Sequence, residues 1–161
     1  MNELESFDSK EEWYFNLWLC ELEKKGLVNQ SKYHPKPFTL SDPVRRAYKK
    51  NLKTKIKDEE FFLLASHDYQ ADWLIYWDER LKDIFYSDPA LPGRSPKDYP
   101  FIVNWSETRG SFFSVIDVKG TFNQNDAYRR FSIDQKWVYQ KYGVYVQKII
   151  PMPSNKEKPT P

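Results

Sequence analysis

Only one cysteine, Cys20, and two histidines, His34 and His67, occur in the 161 residues. That scarcity excludes an internal disulfide and leaves too few thiol and imidazole ligands for a Cys/His zinc site. Cys20 lies within an aromatic, apolar run and is expected to be a buried thiol rather than a nucleophile. No apolar stretch approaches the ~20 residues that span a membrane, and no charged-then-apolar leader opens the chain, so a cytoplasmic location is expected. Nothing repeats at a fixed period. Net charge is small too, +2, so the chain as a whole is not a strongly basic nucleic-acid binder.

Aromatic residues, by contrast, are plentiful: 6 Trp, 11 Tyr and 11 Phe. They supply a core despite the charged surface, and rings left outside would serve as stacking platforms for bases. The length suits one domain. It is expected over 1–151, with an insertion at about 80–110 and a flexible tail at 152–161.

Local patterns outline a mixed α/β order. Ser9 to Glu12 has capping-box spacing, and Phe15, Trp18, Leu19 and Leu22 then recur at helical intervals up to Gly26. Tyr33 to Leu40 reads as one extended segment, confined to a sheet edge by Pro35 and Pro37. Lys49 to Lys57 is open to helix or loop, and Phe61 to Ala65 is a candidate strand. Tyr69 to Tyr76 and Phe112 to Val118 are better-defined strands. Between them, Arg80 to Gly110 holds Pro89, Pro92, Pro96 and Pro100 and reads as a long excursion. A second capping box, Ser132 to Gln135, is expected to open a helix ending at Gly143, and Val144 to Ile150 closes the domain as a strand.

Chemistry enters with Asp117-Val118-Lys119. Acidic-x-Lys recurs at Asp8, Glu23 and Asp134, where solvated charges at helix ends are ordinary. Only the copy at Asp117 ends an apolar strand and precedes a glycine. Alternation puts Asp117 and Lys119 on one face; alone they would be a surface pair contributing ~0–1 kcal/mol. Asp72 changes that balance, because a charge in the middle of an aromatic strand is costly unless paired or metal-bound. If the two strands are neighbours, Asp72 and Asp117 converge. Two carboxylates and a strand carbonyl suit Mg²⁺, and Lys119 would orient an attacking water and offset phosphate charge.

Asp72, the Asp117-Val118-Lys119 strand, a following helix with Gln135 and an opening helix with Glu12 together resemble the PD-(D/E)xK nuclease superfamily. The likeness is closer to phage-encoded members of the endonuclease I and Holliday-junction-resolvase type. It rests on Phe7 to Glu12 with Trp18-Leu19 and Glu21 to Gly26, on Ala71-Asp72-Trp73, and on Val115 to Gly120. The resemblance implies a restriction-endonuclease-like core, with a central mixed β-sheet flanked by helices. It also implies Mg²⁺ or Mn²⁺ dependence and hydrolysis of DNA, here branched or distorted DNA, by a phage protein in the host cytoplasm. Asp72 and Asp117 would be metal ligands and Lys119 the catalytic lysine. Glu12 would bind the metal or orient one of its waters, and Gln135 would support the site or contact the backbone. Ala71 departs from the motif's proline, and the long Asp72–Asp117 spacing reflects the excursion.

Each remaining candidate has a plain alternative. Glu12 and Gln135 both fit a helix cap. The basic series Arg45, Arg46, Lys49, Lys50 would be a solvated face or a phosphate-contacting one. Arg129, Arg130 and Lys136 lie near the proposed site and are candidates to meet the DNA backbone. His67 is expected to be an ordinary strand-end histidine. A homodimer would give a resolvase its two active sites. The competing functional class is a non-catalytic nucleic-acid-binding or virion-associated module on the same fold.

Overall fold

The computed structural model describes residues 6–87, 100–120 and 126–151. In chain order the first elements are α1 (Lys10–Lys24), β1 (Val28–Tyr33), β2 (Phe38–Ser41), β3 (Val44–Asn51), β4 (Ile56–Leu64), β5 (His67–Tyr69) and β6 (Trp73–Trp77). After them come β7 (Tyr86–Ser87), β8 (Phe101–Ile102), β9 (Asn104–Ser106), β10 (Ser111–Val118), α2 (Asp126–Tyr142) and β11 (Val146–Ile149). The α1 start follows the capping logic: Ser9 Oγ accepts from the Glu12 N–H at 3.2 Å and donates to Glu12 Oε1 at 2.8 Å. Gly26, at φ +66°, turns the chain out of the helix in the left-handed conformation that glycine adopts without strain.

The central sheet has the order β1-β6-β10-β11. Neighbours β1, β6 and β10 are antiparallel, whereas β11 runs parallel to β10, so the sheet is mixed. Strand β9 pairs with the first residues of β10. Alternation along the strands then builds two cores. Trp73, Ile75, Trp77, Ile116 and Val118 meet Phe15, Leu19 and Leu22 of α1. On the opposite face, Leu74, Phe113, Val115 and Val146 meet Phe131 and Val138 of α2. Each such large side chain contributes ~1.5–3 kcal/mol when fully buried. The two helices thereby flank the sheet. Among the described residues, no helix is long and apolar enough to cross a membrane.

Several expectations change. Tyr33 to Leu40 is not one strand: His34 adopts φ +45°, Pro35 and Pro37 follow, and β1 and β2 enter different sheets. Lys49 to Lys57 is a loop only at 52–55; its flanks belong to a two-stranded ribbon, β3 with β4, paired from Val44↔Leu64 to Asn51↔Ile56. Tyr69 to Tyr76 is broken after Tyr69, so Asp72 stands just before β6 rather than within a strand. Past the break, Asp72 N–H donates to Ile116 O at 3.1 Å, and Asp72 O accepts from His34 N–H at 2.8 Å. Helix α2 starts at Asp126, which makes Ser132 a mid-helix residue whose hydroxyl donates back to Arg129 O at 2.9 Å. No cap forms there. Cys20 is half-buried rather than buried.

The excursion after Arg80 contributes to the core. Tyr86 and Phe101 are buried in the α1-side cluster, and the Phe101 ring stacks on Trp18 at 5.3 Å. Trp105 is exposed but rests edge-on against Phe112. The prolines at 89, 92 and 96, Tyr99 and the expected tail at 152–161 lie outside the described residues.

Candidate acidic cleft at one end of the sheet

The register brings the chemistry to one end of the sheet. Ile116 pairs with Trp73 and Tyr33 with the same Trp73, so the last residues of β1 and β10 lie beside the first of β6. Asp72 sits at this junction, and its Oδ2 accepts from the Val118 N–H at 2.6 Å. Burial, and next the charge of Asp117, raise its carboxyl from 3.8 to about 7. The Val118 hydrogen bond opposes that rise, Glu12 adds to it, and Lys119 draws it down. Asp72 thus feels Asp117, Glu12 and Lys119 together.

Asp117 is 3 % exposed and points to the α2 side of the sheet. Its Oδ2 accepts from Tyr69 Oη at 2.6 Å. Burial and the charge of Asp117 hold the Tyr69 hydroxyl far above the usual tyrosine range, so it remains a donor. Oδ1 forms an ion pair with Lys119 Nζ, yet takes no well-formed hydrogen bond. Alternation had placed Asp117 and Lys119 on one face, and their ion pair lies there.

Glu12 is buried at the first turn of α1, where Ser9 Oγ and Tyr33 Oη (2.5 Å to Oε2) both donate to it. Among the described residues, one trio of possible ligands has its atoms all within 4.8 Å of one another: Asp8, Glu12 and His34. Asp72 and Asp117 do not join Glu12 in so tight a group. Their oxygens are held by the Val118 N–H, by Tyr69 and by Lys119 instead.

Beside Asp117 the α2 side opens into a cleft of about 320 Å³, lined by Asp68, Tyr69, Gln70, Asp117, Lys119, Arg130, Phe131 and Asp134. Arg130 is exposed at its rim, 3.6 Å from Asp134 Oδ2. Asp134, 5 % exposed, also binds His67 Nε2 at 2.7 Å through Oδ1. The sequence put Asp134 among solvated charges at helix ends and His67 among ordinary residues, but Asp134 is buried in the middle of α2. Sixty-seven positions separate them, and the one local signal was an acid on the buried stripe of α2 with Phe131 and Val138.

The other candidates fall elsewhere. Gln135 donates its amide to Val146 O at 2.6 Å, tying α2 to β11. With Lys136 it lines a separate concavity of about 470 Å³ beside Tyr139 and Tyr145. Arg129 is exposed on α2 and does not line the acidic cleft. Arg45, Arg46, Lys49 and Lys50 are on the exposed ribbon. No protein-family model, curated protein or solved structure matches the chain.

Proposed function

We propose that this chain is a metal-dependent endonuclease that hydrolyses phosphodiester bonds of branched or distorted DNA on a restriction-endonuclease-like core. The mixed sheet between two helices fits such a core. One observation carries the chemistry: Asp72 and Asp117 crowd at one sheet end, with Lys119 paired to Asp117 and Asp72 raised to about 7. Carboxylates confined like this are held at a cost that a divalent cation relieves.

The donor set fits Mg²⁺ or Mn²⁺. It is all oxygen, and Asp117 Oδ1 lacks a well-formed hydrogen bond. Asp72 and Asp117 would hold the ion, with Glu12 beyond them on the α1 side. When bound, the ion would polarise a phosphodiester oxygen and make water a better nucleophile. The remaining roles belong to the chain. Lys119 orients the attacking water and offsets charge growing on the phosphate. Tyr69 fixes Asp117 from behind, Ser9 and Tyr33 fix Glu12, and Arg130 meets a phosphate at the rim.

A non-catalytic nucleic-acid-binding module is favoured by a single observation, that Asp72 and Asp117 are not in a tight ligand trio. A gel assay separates the two readings, using labelled four-way junction, flap, nicked and linear duplex DNA with Mg²⁺, Mn²⁺ or EDTA. Metal-dependent cutting is expected, with Asp117→Asn and Lys119→Ala each slower by at least ~10²–10³-fold and still folded. Undiminished cutting by both variants would reject the assignment. Binding without cutting under any metal would leave the binding module.

A further inference from the structure

The β3–β4 ribbon has no place in either core. All its paired residues are exposed except Glu59, which is half-buried. An isolated hairpin is marginal in water, so one of 8 and 9 residues per strand is retained for what it meets. Its charge is distinctive. From 44 to 64, seven Lys and Arg stand against three Asp and Glu, a net +4, while the whole chain is +2 and the rest therefore −2. Lys50 and Lys57 share Glu59. Arg45, Arg46, Lys49, Lys53 and Lys55 have no ion-pair partner among the described residues.

Position matters as much as charge. The ribbon leaves the body from the β2–β5 ladder, and Asp68 and Tyr69 of β5, with Gln70 after it, form part of the wall of the acidic cleft. At ~3.3 Å per residue an eight-residue strand reaches ~26 Å, the length of about eight base pairs at ~3.4 Å each. The major groove of a duplex admits a two-stranded ribbon. Val44, Ile56, Phe61, Phe62, Leu63 and Leu64 leave exposed apolar surface on the ribbon as well, but a second copy would bring two +4 ribbons together, and like charge opposes that.

We infer that the β3–β4 ribbon is an arm that grips duplex DNA flanking the scissile phosphate, using Arg45, Arg46, Lys49, Lys53 and Lys55 on the backbone. The inference rests on the nuclease reading and deepens it, since it makes a double-stranded arm beside the cut part of the substrate. Alternation puts Arg45 and Lys49 on one face of β3 and Arg46 on the other, and Lys53 and Lys55 lie in the connection to β4 at the tip.

The test is fluorescence anisotropy in EDTA with the full chain, on a 30-bp duplex and a single strand of equal length, from 50 to 200 mM KCl. The variant replaces Arg45, Arg46, Lys49, Lys53 and Lys55 with Gln, and its thermal midpoint checks the fold. Expected is at least a tenfold loss of duplex affinity at an unchanged midpoint, with a smaller loss on single strand. The slope of log K against log salt should flatten by about 4.5, as five phosphate contacts at about 0.9 each imply. Equal affinity and slope in wild type and variant would overturn the arm while cleavage left the nuclease standing. A variant that loses a dimer in sedimentation, or binding to anionic vesicles, with duplex affinity intact would assign the ribbon to that partner instead. If the wild type neither binds nor cuts DNA, the arm and the nuclease fall together.

Discussion

Asp72 shows how a residue is placed against its own preference. Its carboxyl is raised from 3.8 to about 7 by burial and by Asp117. The folded state therefore keeps a proton that the unfolded chain releases between those pH values. The stability this proton lends is complete below about pH 4 and is lost as pH rises through about 7. Above that, Asp72 is a charge retained at a cost. Asp72→Asn keeps an oxygen for the Val118 N–H and removes the charge. In EDTA it should stabilise the protein at pH 8 by on the order of 2 kcal/mol, discounting for water at a part-exposed group. That corresponds to a midpoint higher by roughly 4–8 °C, with little difference at pH 4. A calorimetric pH series measures it; a variant less stable than wild type at pH 8 would contradict the electrostatic account.

At the scale of elements, the opening helix joins fold to site. Ser9 satisfies the Glu12 N–H and also donates to the Glu12 carboxylate. Ser9→Ala should cost ~1 kcal/mol in urea unfolding. Tyr33 still holds Glu12, so cleavage should fall less than in Asp117→Asn; equal losses would mean that the cap itself positions the acid. Helix α2 works differently. Phe131 and Val138 bury it against the sheet, Gln135 ties it to β11, and Asp134 faces the cleft from the same helix. The second helix was legible, but its start was not, because the Ser132-to-Gln135 spacing imitates a cap in the middle of a helix.

Across the whole molecule, the crowded carboxylates and the basic ribbon divide the charge between a negative cleft and a positive arm. A divalent cation bound between Asp72 and Asp117 should stabilise the fold by about 2.7 kcal/mol at a hundred times its dissociation constant, and so raise the thermal midpoint. The rise should be larger at pH 8 than at pH 6, since the ion displaces the proton on Asp72. Thermal scans with Mg²⁺ or Mn²⁺ on wild type and Asp117→Asn give the comparison; an equal rise in both would place the ion elsewhere, for instance at Asp8, Glu12 and His34.

Sequence alone determined what short-range physics controls. The Ser9–Glu12 spacing made a cap, the alternation around Asp117-Val118-Lys119 put acid and lysine on one face, and Phe15, Leu19 and Leu22 marked the stripe that α1 buries. These patterns depend on neighbours a few positions apart. Only the tertiary structure decided the rest. Tyr69 and Asp117 are 48 positions apart, as Trp77 and Asn29 are, and no local periodicity encodes such meetings. The position of Asp72 is set by backbone bonds to His34, just past β1, and to Ile116 of β10, and the ribbon hides because its charges obscure the alternation. Which distant strands pair is settled by burying two apolar faces at once, and the position of each site residue follows from that pairing.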